Sequence, residues 1–143
     1  MGRVIKTNSI GTERNRLAKS VVLAIRELMK QTKPDDLTRD LAAYIVLALA
    51  AISDTIEVSV SAWEKRGYWV KADRFRLEWQ WSETYSQKMR TALFVEDWPI
   101  VAATAVQIAD KLSRIKVSEK HRLGTPWEGA WQQLSTEAPT IKC

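Results

Sequence analysis

From Asp35 to Arg66 the chain carries neither proline nor glycine, while Pro34 and Gly67 stand at the two ends of that stretch. Within it Leu37, Leu41, Ile45, Ala48, Ile52, Thr55, Ser59 and Ala62 recur at intervals of three and four, the seam of a helix in a bundle. The spacing predicts one long helix from the Pro34, Asp35, Asp36 junction to Arg66, with Gly67 as its left-handed stop. Its first half is apolar behind the seam as well, at Ala43, Val46, Leu47 and Ala50, so it must be covered on all sides. After Ser53 the back turns polar, at Asp54, Glu57, Ser61 and Glu64. The most apolar run, Leu41 to Ile52, falls short of the roughly twenty residues that span a bilayer, so a buried core helix is expected and no membrane.

Other helix signals surround this one. A first helix is expected from Thr12, as its N-cap, to Gln31, with Leu17, Val21, Ala24, Ile25 and Leu28 on one stripe and Arg16, Lys19, Arg26 and Lys30 opposite. A third, Tyr68 to Val95, follows so short a break that it should fold back antiparallel on the second. The fourth starts near Asp97, tolerates Pro99 in its first turn, and reaches about Lys116 along Val101, Ala105, Ile108, Ala109 and Leu112. Thr125, Pro126, Trp127 and Glu128 read as a capping box opening a short fifth helix whose Trp127, Trp131 and Leu134 share a face. No strand pattern competes. The expected fold is all-α, an antiparallel four-helix up-down bundle with a short C-terminal helix. Residues 1–11 are expected to form a flexible basic arm, 12–134 a single domain and 135–143 a loose tail; 143 residues suffice for a core without disulfides.

The formal net charge of +5 is concentrated at the front, where residues 1–33 hold eight Lys and Arg against two acids. Such a face can attract nucleic acid, although a solvated helix face explains it more simply. The lone cysteine, Cys143, cannot form an internal bridge, and the opening residues lack a secretory apolar run; both fit a reducing cytoplasm.

Four of the seven tryptophans fall between Trp63 and Trp81. On a helical wheel the third helix has two opposed apolar faces. One holds Tyr68, Ala72, Phe75, Trp79, Ser82, Met89 and Leu93; the other holds Val70, Leu77, Trp81, Thr84, Ala92 and Val95. Either both are core, or one is an interface. Aromatics interleaved with arginine are the composition of interface anchors, which singles out Arg74, Arg76, Trp79 and Trp81 and points to a homodimer or a protein partner. The same segment would offer a stacking surface to bases, the weaker alternative.

Signals for catalysis are sparse. Asp54, Glu57 and Glu64, with Glu78 and Glu83 opposite, form an acidic stripe, but the Glu-x-x-His partner of di-iron bundles is missing. Neither a nucleophile elbow nor a phosphate-binding glycine loop is present, so no cofactor or metal is expected and a non-catalytic role is favoured. The only histidine, His121, follows Arg114 with six residues between. In spacing this pair resembles the R-x4-6-H element of the HEPN family, small helical dimers that include metal-independent ribonucleases. Ile115 departs from the polar residue that the family favours after the arginine. The resemblance implies an alternative function, an RNA- or DNA-binding module using Arg14, Arg16, Lys19 and Arg26, with RNA cleavage at Arg114 and His121.

Overall fold

The computed structural model describes residues 7–118 and 121–137. Among them are six helices: α1 (Thr7–Leu28), α2 (Asp36–Lys65), α3 (Trp69–Trp79), α4 (Trp81–Phe94), α5 (Trp98–Lys111) and α6 (Ala130–Glu137). The described residues contain no strand. The expected class, all-α, is the observed one.

Helix α2 is the hub, with α1, α3, α4 and α6 all packed on it. Leu41, Ala42, Ala43, Ile45, Leu49 and Ile52 are fully enclosed, as an all-round apolar helix requires. By length and composition α2 would be able to cross a membrane; here 56% of its most apolar window is buried inside the fold. Its ends lie where local chemistry puts them. The Asp35 carboxylate accepts the Thr38 N–H, and Gly67 sits at φ 82° while the Gly67 and Tyr68 N–H groups return to the carbonyls of Glu64 and Trp63.

Side-chain bonds fix the directions of α2's neighbours. Arg14 of α1 reaches Thr55 and Ser59, and the Tyr44 hydroxyl donates to Ser20 Oγ at 2.7 Å, so α1 runs antiparallel to α2. On the other side Arg76 pairs with Glu64, Ser86 Oγ donates to the Val46 carbonyl, and Arg39 pairs with Glu96. The α3 and α4 pair thus returns along α2. Helix α5 then packs on α4, with a thin contact to α1.

Several boundaries differ from the sequence-based expectation. Helix α1 already exists at Thr7, so Thr12 lies inside it and is not its cap; residues 1–6 fall outside the described residues. The expected single helix from Tyr68 to Val95 is broken at Gln80. There Ser82 Oγ donates to the Trp79 carbonyl at 2.8 Å, and the Gln80 carbonyl is shared between the Thr84 N–H at 3.4 Å and the Thr84 hydroxyl at 3.5 Å, so the ladder is loosened where the two helices meet. The turn into α5 places Glu96, not a glycine, at φ 56°, with the Asp97 N–H bonded to the Ala92 carbonyl at 2.8 Å. The Asp97 carboxylate then accepts the Ile100 N–H and caps α5.

Thr125 to Glu128 do not open α6. They form a turn closed by the Glu128 N–H on the Thr125 carbonyl, and Gly129 follows at φ 79°. The cap comes from α2 instead: Asp40 accepts the Gly129 N–H at 3.2 Å and the Trp131 N–H at 2.8 Å. Buried Trp127, Ala130 and Leu134 hold the element down, and Trp131 meets Phe94 with ring centroids 5.3 Å apart. Helix α6 includes Ser135, Thr136 and Glu137, which the sequence assigns to the tail; Cys143 lies outside the described residues.

Candidate interaction surface

The bend at Gln80 reorganises the tryptophan segment. Trp79 and Trp81 do not divide between core and solvent; both are half-buried, and their rings stack at 5.7 Å and 25°. They belong to an aromatic row running Trp63, Phe75, Trp79, Trp81, Tyr85, which begins with an edge contact of 4.9 Å between Trp63 and Phe75. Lys71 caps the row over Trp63 at 4.5 Å, and Arg14 of α1 lies 4.9 Å over Phe75.

Of the two apolar faces read from the wheel, the first is core from Ala72 onward: Ala72, Ser82, Met89 and Leu93 are buried, Phe75 and Trp79 are half-buried, and Tyr68 alone is exposed. The second is divided by the bend. In its α4 half Ala92 is buried and α5 lies alongside with Lys88 donating to Gln107, while Thr84 and Val95, the latter 69% exposed, stay open at its edges. In its α3 half nothing described covers Val70 and Leu77, which are 66% and 70% exposed. Trp69 and Tyr68, just before them, are exposed at 61% and 52%. Such a run of large apolar side chains is what monomers seldom leave open.

Charged groups frame this open half. Arg74 is exposed, and with Val70, Lys71 and Glu78 it lines a shallow concavity floored by Trp63 and Phe75. Arg76 is committed within the chain, to Glu64 at 3.2 Å, Asp73 at 3.2 Å and Glu57 at 4.0 Å. The Glu64 carboxylate beside it, first among these, raises the affinity of the Arg76 guanidinium for its proton. Two members of the acidic stripe are thereby paired with Arg76, and no cluster suited to a metal ion occurs among the described residues.

The basic first helix is less available than its sequence suggests. Arg14 points inward, donating to Thr55 Oγ1 and the Thr55 carbonyl at 3.1 Å each and to Ser59 Oγ at 2.7 Å; burial lowers its proton affinity. Arg16 pairs with Glu13 at 2.7 Å on the surface, Lys19 is exposed, and Arg26 donates to the Val117 carbonyl. Arg114 is exposed, whereas His121 lines a cavity with Arg26 and Lys30 that does not include Arg114. An apolar cleft of about 300 Å³ between the α1–α2 connection and Trp98 of α5 has Lys33 as its one charged lining residue.

Compared with protein-family models, with characterised proteins and with solved structures, the chain matches none.

The sequence places Val70 and Leu77 on a second face but singles out Arg74, Arg76, Trp79 and Trp81 as anchors. Composition draws the eye to tryptophan and arginine. What distinguishes Val70 and Leu77 is that the chain turns at Gln80 and leaves them uncovered, a tertiary fact.

Proposed function

We propose that this chain is a non-catalytic helical protein that acts by contact, and that its contact surface is the open half of α3, paired with a second copy of the chain. The exposure of Val70, Leu77 and Trp69 carries this reading. Charge order along the face favours a copy over another partner. Lys71 and Arg74 precede Glu78, so a two-fold antiparallel pairing of α3 brings the basic half of each face opposite the acidic end of the other. Of the residues singled out by sequence, Arg74 lies on this surface, Trp81 borders it, and Arg76 and Trp79 support it from within.

Within the protomer, the arrangement we infer is the antiparallel up-down bundle, with α3 and α4 together counting as one bent member and α6 as the short C-terminal helix. The antiparallel courses of α1 and of α3 with α4 along α2 support it. A role in the cytoplasm without cofactor or metal belongs to the same reading.

The test is sedimentation velocity over a range of concentrations. Burying one leucine contributes about 1.5–3 kcal/mol, and a two-fold interface buries Leu77 of both copies, so Leu77→Asp should weaken the dimer by at least roughly 100-fold. Its circular dichroism should stay put, because within a single protomer the side chain is 70% exposed, and its thermal midpoint should match that of the wild type at concentrations low enough for both to be monomeric. A wild-type chain that remains monomeric throughout, or a dimer indifferent to Leu77→Asp, overturns the proposal.

A further inference from the structure

At the end of the molecule where α1 finishes, a cavity of about 470 Å³ is lined by Leu23, Arg26, Glu27, Lys30, Val117 and His121. Two elements far apart in sequence build it. Arg26 donates a guanidinium N–H to the Val117 carbonyl at 3.3 Å, tying the segment after α5 to the side of α1 and holding His121 beside it. His121 Nδ1 accepts the Leu123 N–H at 3.2 Å, so the neutral ring carries its proton on Nε2 and offers a donor there.

The lining therefore combines a guanidinium, an ammonium and an imidazole N–H. The single acid among them, Glu27, is matched by Lys30 at 3.2 Å. Arg114, Lys116 and Arg122 are exposed and flank Val117 and His121 in sequence. A planar guanidinium, an ammonium that a ligand would draw from its pair with Glu27, and an imidazole N–H lining one concavity suit the several oxygens of a phosphate group better than a planar carboxylate.

We propose that this cavity binds a phosphate-bearing small molecule, a phosphomonoester or pyrophosphate group held by Arg26, Lys30 and His121. The site is independent of the α3 face. Its ligand chemistry is shared by nucleic-acid backbones, and the two sources separate by experiment. Because His121 is the only histidine, its Cε1 proton gives a single proton-NMR signal that reports on the cavity alone.

Inorganic pyrophosphate titrated into the full chain at constant ionic strength should shift that signal saturably. Lys30→Gln should weaken the titration at least tenfold, a loss of about 1.4 kcal/mol. Arg26→Gln should do the same; should it loosen the Val117 segment, Lys30→Gln still decides, since among the described residues the Lys30 ammonium bonds Glu27 and not that segment. An unsaturable shift, or equal affinity in wild type and Lys30→Gln, overturns the site. A short single-stranded RNA that binds a hundredfold more tightly than pyrophosphate, with steep salt dependence, overturns the small-molecule assignment in favour of a polyanion.

Discussion

Replacing Arg14 by alanine separates a structural cation from a binding one. In the folded chain its guanidinium donates to Ser59 Oγ at 2.7 Å, to Thr55 Oγ1 and to the Thr55 carbonyl, and lies over Phe75. Truncation leaves Thr55 Oγ1 with its own bond to the Ile52 carbonyl, so the chief orphan is buried Ser59, at a cost of about 1–3 kcal/mol. The lost cation–π contact adds about 0.5–1 kcal/mol. Against this stands the desolvation of the guanidinium, which burial already disfavours. The balance is a destabilisation of about 1–3 kcal/mol, or a fall in thermal midpoint of roughly 3–9 °C for a chain of this length. Urea unfolding followed by tryptophan fluorescence measures it. Arg16→Ala is the internal control: its pair with Glu13 is exposed on both sides, and its loss should stay within about 0.5 kcal/mol. If Arg14→Ala costs no more than Arg16→Ala, Arg14 is a surface cation and its assignment to the fold is wrong.

Two further substitutions probe the helix ends. Asp40→Ala removes both carboxylate bonds that start α6 and should cost about 1–2 kcal/mol; protease cleavage around Gly124 to Gly129 should accelerate, and an unchanged cleavage rate would refute the tertiary cap. Asp35→Ala tests a pH dependence. The Thr38 N–H, then its hydroxyl, hold the Asp35 carboxyl below its ordinary range. A depressed folded pKa contributes stability above the unfolded value and loses it as pH falls through the folded one. The gap in thermal midpoint between wild type and Asp35→Ala should therefore be full near neutrality and close under acid; a gap that stays constant or widens would contradict the cap.

Where a boundary is set by its own neighbours, the sequence reveals it. The Asp35 cap, the Gly67 stop and the Asp97–Pro99 opening of α5 all act within a turn of chain, and the core seam of α2 follows from its period alone. The misreadings share a different cause. At Gln80 two hydroxyls, Ser82 and Thr84, compete for carbonyls in a stretch whose propensity is uniformly helical, and residue type does not say which bond wins. At α6 a plausible local box yields to a carboxylate 89 and 91 residues away. Glu96 ends α4 in a conformation that a glycine would have advertised. The open face of α3 was half visible: periodicity separates two apolar faces, but only the position of α5 decides which half remains uncovered.

The central place of α2 has a consequence during synthesis. Once Arg66 has been added, α1 can shield one side of α2, while the surface destined for α4 stays bare until Phe94 is made and the surface destined for α6 until Leu134 is made. At about 5–20 residues per second the longer interval lasts roughly 3–14 s. Throughout it, the segment with the length and apolarity of a bilayer span is the one lacking full cover. A nascent chain of this design presents to targeting factors and chaperones the same signal as an emerging membrane anchor. Its last helix, latched through Asp40, is what withdraws that signal.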